Sequence, residues 1–338
     1  MSESNFYKGK TILVTGGVGS IGSEIVKNLL KYNPKAVRVF DNNETGLFDL
    51  DQNLQSKKIR LFVGDVRDRR RLKRAMERVD IVFHAAALKH VPLCESNPFE
   101  AVQTNVIGTQ NVVDACLETG VGKMINISTD KAVNSPNVMG ATKLLSERLV
   151  TATHYYKGRN KTVFSSVRFG NVLNSRGSIV PLFQKQIKNG GPVTITNPDM
   201  VRLVMSIPKA VDLVLKSGEM TKGGEIFILK MPAIRLGDFA EAIIEELAPR
   251  YGHKPQEIKI KIIGERIGEK FCEEMVTKDE SKNIHETKEM FIILPSAEKG
   301  AKKECSANDN CSPKNFKFLT KKEIKDLLEE ILGFSKPI

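Results

Sequence analysis

Cysteine is scarce and unpatterned. The five residues, Cys94, Cys116, Cys272, Cys305 and Cys311, are odd in number and include no CxxC pair. A disulfide framework is therefore excluded and a reducing compartment favoured. Cys305 and Cys311 lie near each other in a polar segment without ligating partners, so they read as loop cysteines and no metal is expected. No apolar run is long enough to cross a bilayer. Residues 1–10 are polar and run into a strand, which is not the form of a signal peptide. These absences point to a protein working in solution, in the cytoplasm. There is also no zinc-finger spacing, no basic region feeding a heptad repeat and no internal repeat. The net charge of +12 favours anionic partners, but the positive residues are dispersed. The densest run, Arg67 to Arg74, reads as a solvated helix face. Phosphorylated small molecules fit this better than nucleic acid.

What is present is an α/β pattern. The chain has 338 residues, 41% of them hydrophobic, enough for two lobes or one enlarged α/β unit. Short apolar runs at 11–15, 36–41, 60–65, 81–87, 123–129 and 162–168 read as strands, separated by helical patterns such as 23–32. Such alternation implies right-handed crossovers and a doubly wound parallel sheet covered on both faces. Beyond Asn171 the pattern loosens. Segments 189–197 and 231–234 are turn-rich, 211–216 and 238–247 read as helices, and 226–229 as a short strand. Residues 296–315 read as a surface loop. Thr320 and Glu323 form a capping-box pair before a helix with Ile324, Leu327, Leu328 and Ile331 on its apolar face. The division expected is a nucleotide-binding domain of residues 1–171 and about 203–230. A smaller lobe takes about 172–202 and 231–338.

The run Thr15-Gly16-Gly17-Val18-Gly19-Ser20-Ile21-Gly22 joins the first strand to the first helix. Gly16 can take the tight turn, Gly19 lets backbone approach a pyrophosphate, and Gly22 lets helix pack on strand. The helix N-terminus offers free N–H groups to phosphates. Asp41 ends the second strand, where an acid holds the ribose hydroxyls of NAD and repels the extra phosphate of NADP. Asp65 and Val66, ending the third strand, are placed to face adenine.

These glycines, with His84-Ala85-Ala86-Ala87, resemble the extended short-chain dehydrogenase/reductases, and thus a Rossmann-type fold. The resemblance implies that Ala85, Ala86 and Ala87 border the cofactor and that Asn105 supports its site. The strings Ser128-Thr129-Asp130-Lys131-Ala132 and Asn137-Val138-Met139-Gly140-Ala141-Thr142-Lys143 narrow the match. They are similar to those of UDP-N-acetylglucosamine 4,6-dehydratases that feed bacillosamine, pseudaminic acid and capsule sugars. The match spans about residues 11–295, including Ala87-Leu88-Lys89-His90-Val91-Pro92, Arg168-Phe169-Gly170-Asn171-Val172 and Gly268-Glu269-Lys270.

That resemblance implies chemistry. Hydride leaves sugar carbon 4 for NAD, the ketone acidifies carbon 5, and the carbon-6 hydroxyl leaves as water. Hydride then returns to carbon 6. Lys131 is implied as the carbon-5 base, Asp130 as the acid at carbon 6, and Thr129 as a hydrogen-bond partner of the carbon-4 oxygen. Lys143 stands at the family's Lys position and also borders the cofactor. Met139 replaces the family's Tyr, reads as a pocket wall, and leaves the carbon-4 proton to Asp130 or water. An amine of ordinary pKa, about 10.4, is almost wholly protonated at neutral pH. Lys131 is therefore expected to be depressed by burial, the cationic nicotinamide and Lys143.

On the substrate side, Asn171, Arg176, Arg202 and Arg266 fall where relatives contact the nucleotide, Glu269 where they hold its ribose, and Lys89 near the sugar. Ile267 departs from the family's Pro, and Cys272 stands where relatives often have His. Asp41 and Met139 resemble members that retain configuration at carbon 5. The alternatives are an inverting dehydratase, a 4-epimerase, or an inactive dinucleotide- or RNA-binding protein. A homo-oligomer is expected from the family.

Overall fold

The computed structural model describes residues 5–295 and 316–333. The loop expected over 296–315, with Cys305 and Cys311, lies outside them. In chain order the elements are β1 (Thr11–Thr15), α1 (Ser20–Lys31), β2 (Ala36–Asp41), α2 (Glu44–Leu54), β3 (Ile59–Val63), α3 (Arg69–Met76) and β4 (Ile81–His84). There follow α4 (Val91–Ser96), α5 (Pro98–Ala101), a π-helical stretch Val102–Ile107, α6 (Gly108–Thr119), β5 (Lys123–Ile127), α7 (Val138–Tyr156), β6 (Val163–Arg168) and β7 (Asn171–Val172). Then come α8 (Ile179–Lys188), β8 (Val193–Ile195), β9 (Val201–Met205), α9 (Ile207–Met220), β10 (Ile226–Leu229), β11 (Ala233–Arg235) and α10 (Leu236–Leu247). The last are β12 (Ile260–Ile262), β13 (Ile284–Glu286), β14 (Met290–Ile293) and α11 (Lys321–Leu332).

Nine strands make one sheet in the order β13-β14-β10-β6-β5-β4-β1-β2-β3. From β10 to β3 every pairing is parallel. The antiparallel β14 and β13 extend the β10 edge. All five residues of β1 and all four of β4 are buried, as a sheet covered on both faces requires. The chain winds outward from β1 to β3 and then, from β4, in the other direction. The carboxyl ends of β1 and β4 thus flank the switch point, where such sheets open a crevice.

Several boundaries differ from the sequence expectation. The strand expected over 81–87 ends at His84, because Ala85 N makes a last ladder bond to Thr15 O (3.1 Å) and the chain then leaves the sheet. The strand expected over 123–129 ends at Ile127, and Asp130–Ala132 turns into a 3-10 helix. The turn-rich segments carry short strands: β8 pairs with β12, and β11 with β9. The basic face of α3 is not simply solvated: Arg69 pairs with Asp114 (3.2 Å) and Lys73 with Glu118 (2.8 Å), both on α6.

A second apolar cluster, apart from the sheet, packs Val180 and Phe183 of α8 against Phe239 and Ile243 of α10 and Ile324 and Leu328 of α11. The capping box at Thr320 and Glu323 starts α11 as read from sequence. No described helix is long and apolar enough to cross a membrane. Among the described residues, no group of His, Cys, Asp and Glu could hold a metal ion. Cys94, Cys116 and Cys272 are free thiols.

Candidate active site

The glycine turn at the end of β1 is shaped for close backbone approach. Gly16 has φ +64°, and a Cβ there would lie 2.6 Å from Ala86 N. A Cβ on Gly22 would lie 2.1 Å from Gly16 O, so the first turn of α1 can seat only on glycine. Gly19 caps α1 with no side-chain hydrogen bond, leaving the helix N-terminus free to meet an anion. Asp41 fixes the turn by accepting from Val18 N (3.1 Å) and Asn43 N (3.0 Å). Thr15 is buried, with its Oγ1 2.7 Å from His84 Nδ1.

A cleft of about 390 Å³ opens over this turn, and Gly16, Gly19, Asp41, Asp65, Val66 and Ala85–Ala87 all line it. These residues, distant in sequence, converge on one cleft. Ser20 meets the rim through its Oγ, which accepts from Arg176 N (2.9 Å), while Ile21 packs into the core. Asn105 stands behind the cleft. Its Oδ1 accepts from Leu88 N (2.8 Å) and its Nδ2 donates to Leu88 O (3.0 Å) and Thr142 Oγ1 (3.0 Å), clamping the segment after Ala87. Asp65 is committed: Arg67 lies 2.7 Å away and holds its carboxyl below the usual range. Arg67 also pairs with Glu100 across the rim (2.9 Å). Arg67, read from sequence as part of a solvated helix face, lies ahead of α3 and is tied to the rim by Asp65 two residues before it and by the distant Glu100.

At the end of β5, Asp130 is fully buried. Its Oδ1 accepts from Thr129 Oγ1 (2.8 Å) and from Lys131 Nζ (3.0 Å); its Oδ2 has no hydrogen-bond partner among the described residues. Lys131 also donates to Asn171 Oδ1 (3.2 Å) and lies 3.4 Å from Glu273 Oε1. Glu273, absent from the sequence reading, is the main addition to the site. It arrives on the 264–276 segment, which docks by a bridge between Val201 and Cys272.

The electrostatics correct one expectation. Burial does push the Lys131 pKa down, but the carboxylates of Asp130 and Glu273 outweigh it, and the pKa is raised. Lys143 is a depressed amine: burial brings it to about 8, against the pull of Glu147, and its Nζ donates to Ile127 O (2.6 Å). Met139 is buried against Cys94 and Ala101 rather than on the cleft.

The residues expected to bind substrate fall into three places. Arg176 reaches the glycine turn, where its guanidinium donates to Val18 O, and it lines the dinucleotide cleft. Lys89 donates to Arg176 O (2.6 Å) and burial lowers its pKa. Arg202 is buried and donates to Glu269 Oε1 (2.8 Å) and Val201 O (2.8 Å). Glu269 also accepts from Arg266 N (3.3 Å), while the Arg266 residue itself is exposed. Only Asn171 touches the Asp130–Lys131 pair directly.

The family described as polysaccharide biosynthesis protein matches residues 12–295. A Methanocaldococcus jannaschii protein described as an uncharacterized membrane protein is 62% identical over 97% of this chain and 98% of its own. A Campylobacter jejuni protein named UDP-N-acetylglucosamine 4,6-dehydratase (inverting) is 41% identical over 97% of this chain and 100% of its own. Among solved structures, Pen from Bacillus thuringiensis is 43% identical, with a TM-score of 0.89 over 98% of this chain and 100% of that one.

Proposed function

This chain belongs to the polysaccharide biosynthesis protein family of extended short-chain dehydrogenase/reductases, and on that premise we propose that it is an NAD-dependent UDP-N-acetylglucosamine 4,6-dehydratase. The observation that carries the reading is the Asp130–Lys131 pair, joined at 3.0 Å at the carboxyl end of β5, the strand paired with β4, whose following residues Ala85–Ala87 line the dinucleotide cleft. Its carboxyl and amine supply the acid and base that removal of water needs. A 4-epimerase has no use for them.

NAD fits the glycine turn and Asp41, and what it supplies when bound is a reversible store for the hydride that leaves carbon 4 and re-enters at carbon 6. Asn105 and Thr142 keep the 85–88 segment against it. Arg176, on the rim, brings positive charge toward the pyrophosphates. Thr129 Oγ1, already donating to Asp130, offers the carbon-4 hydroxyl a path to that carboxylate. In the resting site Lys131 is an ammonium. The carbon-4 proton on Asp130 makes the carboxylic acid wanted at carbon 6, and Lys131 must shed its own proton to become the neutral amine wanted at carbon 5.

Retention at carbon 5 is the outcome we propose, although the Campylobacter relative is named inverting. Inversion calls for a proton donor on the opposite face of the sugar. Met139, at the family's Tyr position, is a buried thioether with no proton to give. An amine that both removes and returns the proton restores the original face.

Lys131→Met tests the assignment. It removes the amine while keeping a side chain of similar length, and the rate of water loss should fall by about 10²–10⁴-fold. Mass spectrometry of the UDP-sugar reads the loss, and near-normal turnover would remove Lys131 from the mechanism.

A further inference from the structure

The Asp130–Lys131 pair has a third member. Glu273 is 3% exposed, its Oε1 lies 3.4 Å from Lys131 Nζ, and its Oε2 has no hydrogen-bond partner among the described residues. Lys270 Nζ faces that oxygen at 4.0 Å without a hydrogen bond, and a buried carboxylate short of hydrogen bonds is costly unless it serves a purpose. Its placement is firm. Val201 N donates to Phe271 O (3.0 Å), Arg168 holds the Met275 carbonyl (2.7 Å), and Lys270 donates to Val133 O. The charged groups around Lys131 are Asp130 from the end of β5, Glu273 and, beyond it, Lys270 (4.0 Å from Glu273) from the 264–276 segment, and Arg202 from β9.

Resting on the dehydratase reading, we propose that Glu273 is a positioning residue that holds the Lys131 proton while the amine works. A proton count motivates it. Oxidation at carbon 4 releases a hydroxyl proton as well as a hydride, and the hydride goes to the nicotinamide dinucleotide. If Asp130 accepts that proton through Thr129, Lys131 remains an ammonium and cannot take a second proton from carbon 5. Passing the ammonium proton to Glu273 frees the amine. Lys131 then takes the carbon-5 proton while Asp130 protonates the departing carbon-6 hydroxyl, which leaves as water. As hydride re-enters at carbon 6, Lys131 returns its proton to carbon 5. Glu273 returns the stored proton to Lys131, and Asp130 ends as a carboxylate. Every group regains its starting state, and one water has left. With Asp130 and Lys131 alone, the carbon-4 proton has no place that leaves the amine free.

Two readouts on Glu273→Gln test this. The first needs no substrate: competitive labelling with acetic anhydride across pH, followed by peptide mass spectrometry, gives the titration midpoint of Lys131. Neutralising Glu273 should lower that midpoint by about one pH unit. The second is turnover of UDP-N-acetylglucosamine. The kcat should fall about 10²-fold and rise with pH as solvent takes over the acceptor's task, with KM unchanged. A structural role alone would lower the amount of folded enzyme without moving the midpoint. Glu273→Asp, which keeps the charge one methylene further away, should give an intermediate midpoint and also serves if the Gln variant does not fold. An unmoved midpoint in both variants overturns the proposal, as does a wild-type kcat and pH profile in Glu273→Gln. A midpoint that moves in the variants, while the wild-type protein never removes water, supports the Glu273–Lys131 coupling and overturns the dehydratase reading alone.

Discussion

At the residue scale, single atoms decide whether the site can form. Gly16→Ala asks a Cβ to sit 2.6 Å from Ala86 N on a backbone with φ +64°. The left-handed conformation alone costs an alanine about 1–2 kcal/mol, and the clash pushes the 85–88 segment off the cleft. Dinucleotide retention should fall at least tenfold, read as NAD released from the denatured protein against wild type; equal release would show that the turn does not hold it. The glycines and Asp41 were legible because a turn is a local object: the residues that need no Cβ stand within one short run. The state of Lys131 was not. Its titration depends on Glu273, which reaches it from a segment far along the chain, and no periodicity or spacing near Lys131 announces a second carboxylate. Lys143 shows the same limit, since its fall to about 8 comes from burial under the end of β5.

At the element scale, the pieces around the site are held by an ion cluster in the core. Arg168 of β6 is fully buried and bonds Glu147 of α7 (3.2 Å from Nε) and Glu280 (3.0 Å from Nη1). Its guanidinium is held charged by these partners against the cost of burial, and Glu280 is held below its usual pKa. Arg168→Met leaves buried Glu147 without its cation and Glu280 with only Arg148 (3.2 Å), which should cost about 3–5 kcal/mol in urea unfolding. A loss below 1 kcal/mol would mean that the carboxylates find other partners. Because Arg168 also holds Met275 O, this variant should loosen the Glu273 segment as well. The parallel strands were readable from their largely apolar runs. Strands β13 and β14 were not: they are short, antiparallel, and paired only at the far edge of the sheet. The π-helical stretch that carries Asn105 also has no sequence signature, because an i→i+5 turn looks like ordinary helix in its pattern.

At the scale of the whole molecule, one buried group links pH to stability. His84 sits between Thr15 Oγ1 (2.7 Å) and Thr109 Oγ1 (3.1 Å), and burial, reinforced by Lys143, lowers its pKa to about 3. The unfolded chain protonates this ring near pH 6.5 and the folded one does not. Between those values the unfolded state binds the extra proton, so stability falls with pH. The contribution is about 1.4 kcal/mol per pH unit. His84→Gln should remove that share of the slope in urea titrations from pH 7 to 5, and an unchanged slope would clear His84 of the effect. The net charge of +12 favours anionic partners over a wider range than any one arginine does.

The most direct test of the account is the fate of UDP-N-acetylglucosamine incubated with the enzyme in heavy water, followed by mass spectrometry and proton NMR. The account predicts a sugar that has lost one water, keeps its original configuration at carbon 5, and carries solvent deuterium there in those turnovers in which Lys131 returns an exchanged proton in place of the one it removed. A product of unchanged mass with carbon 4 inverted, or substrate recovered intact, would contradict it.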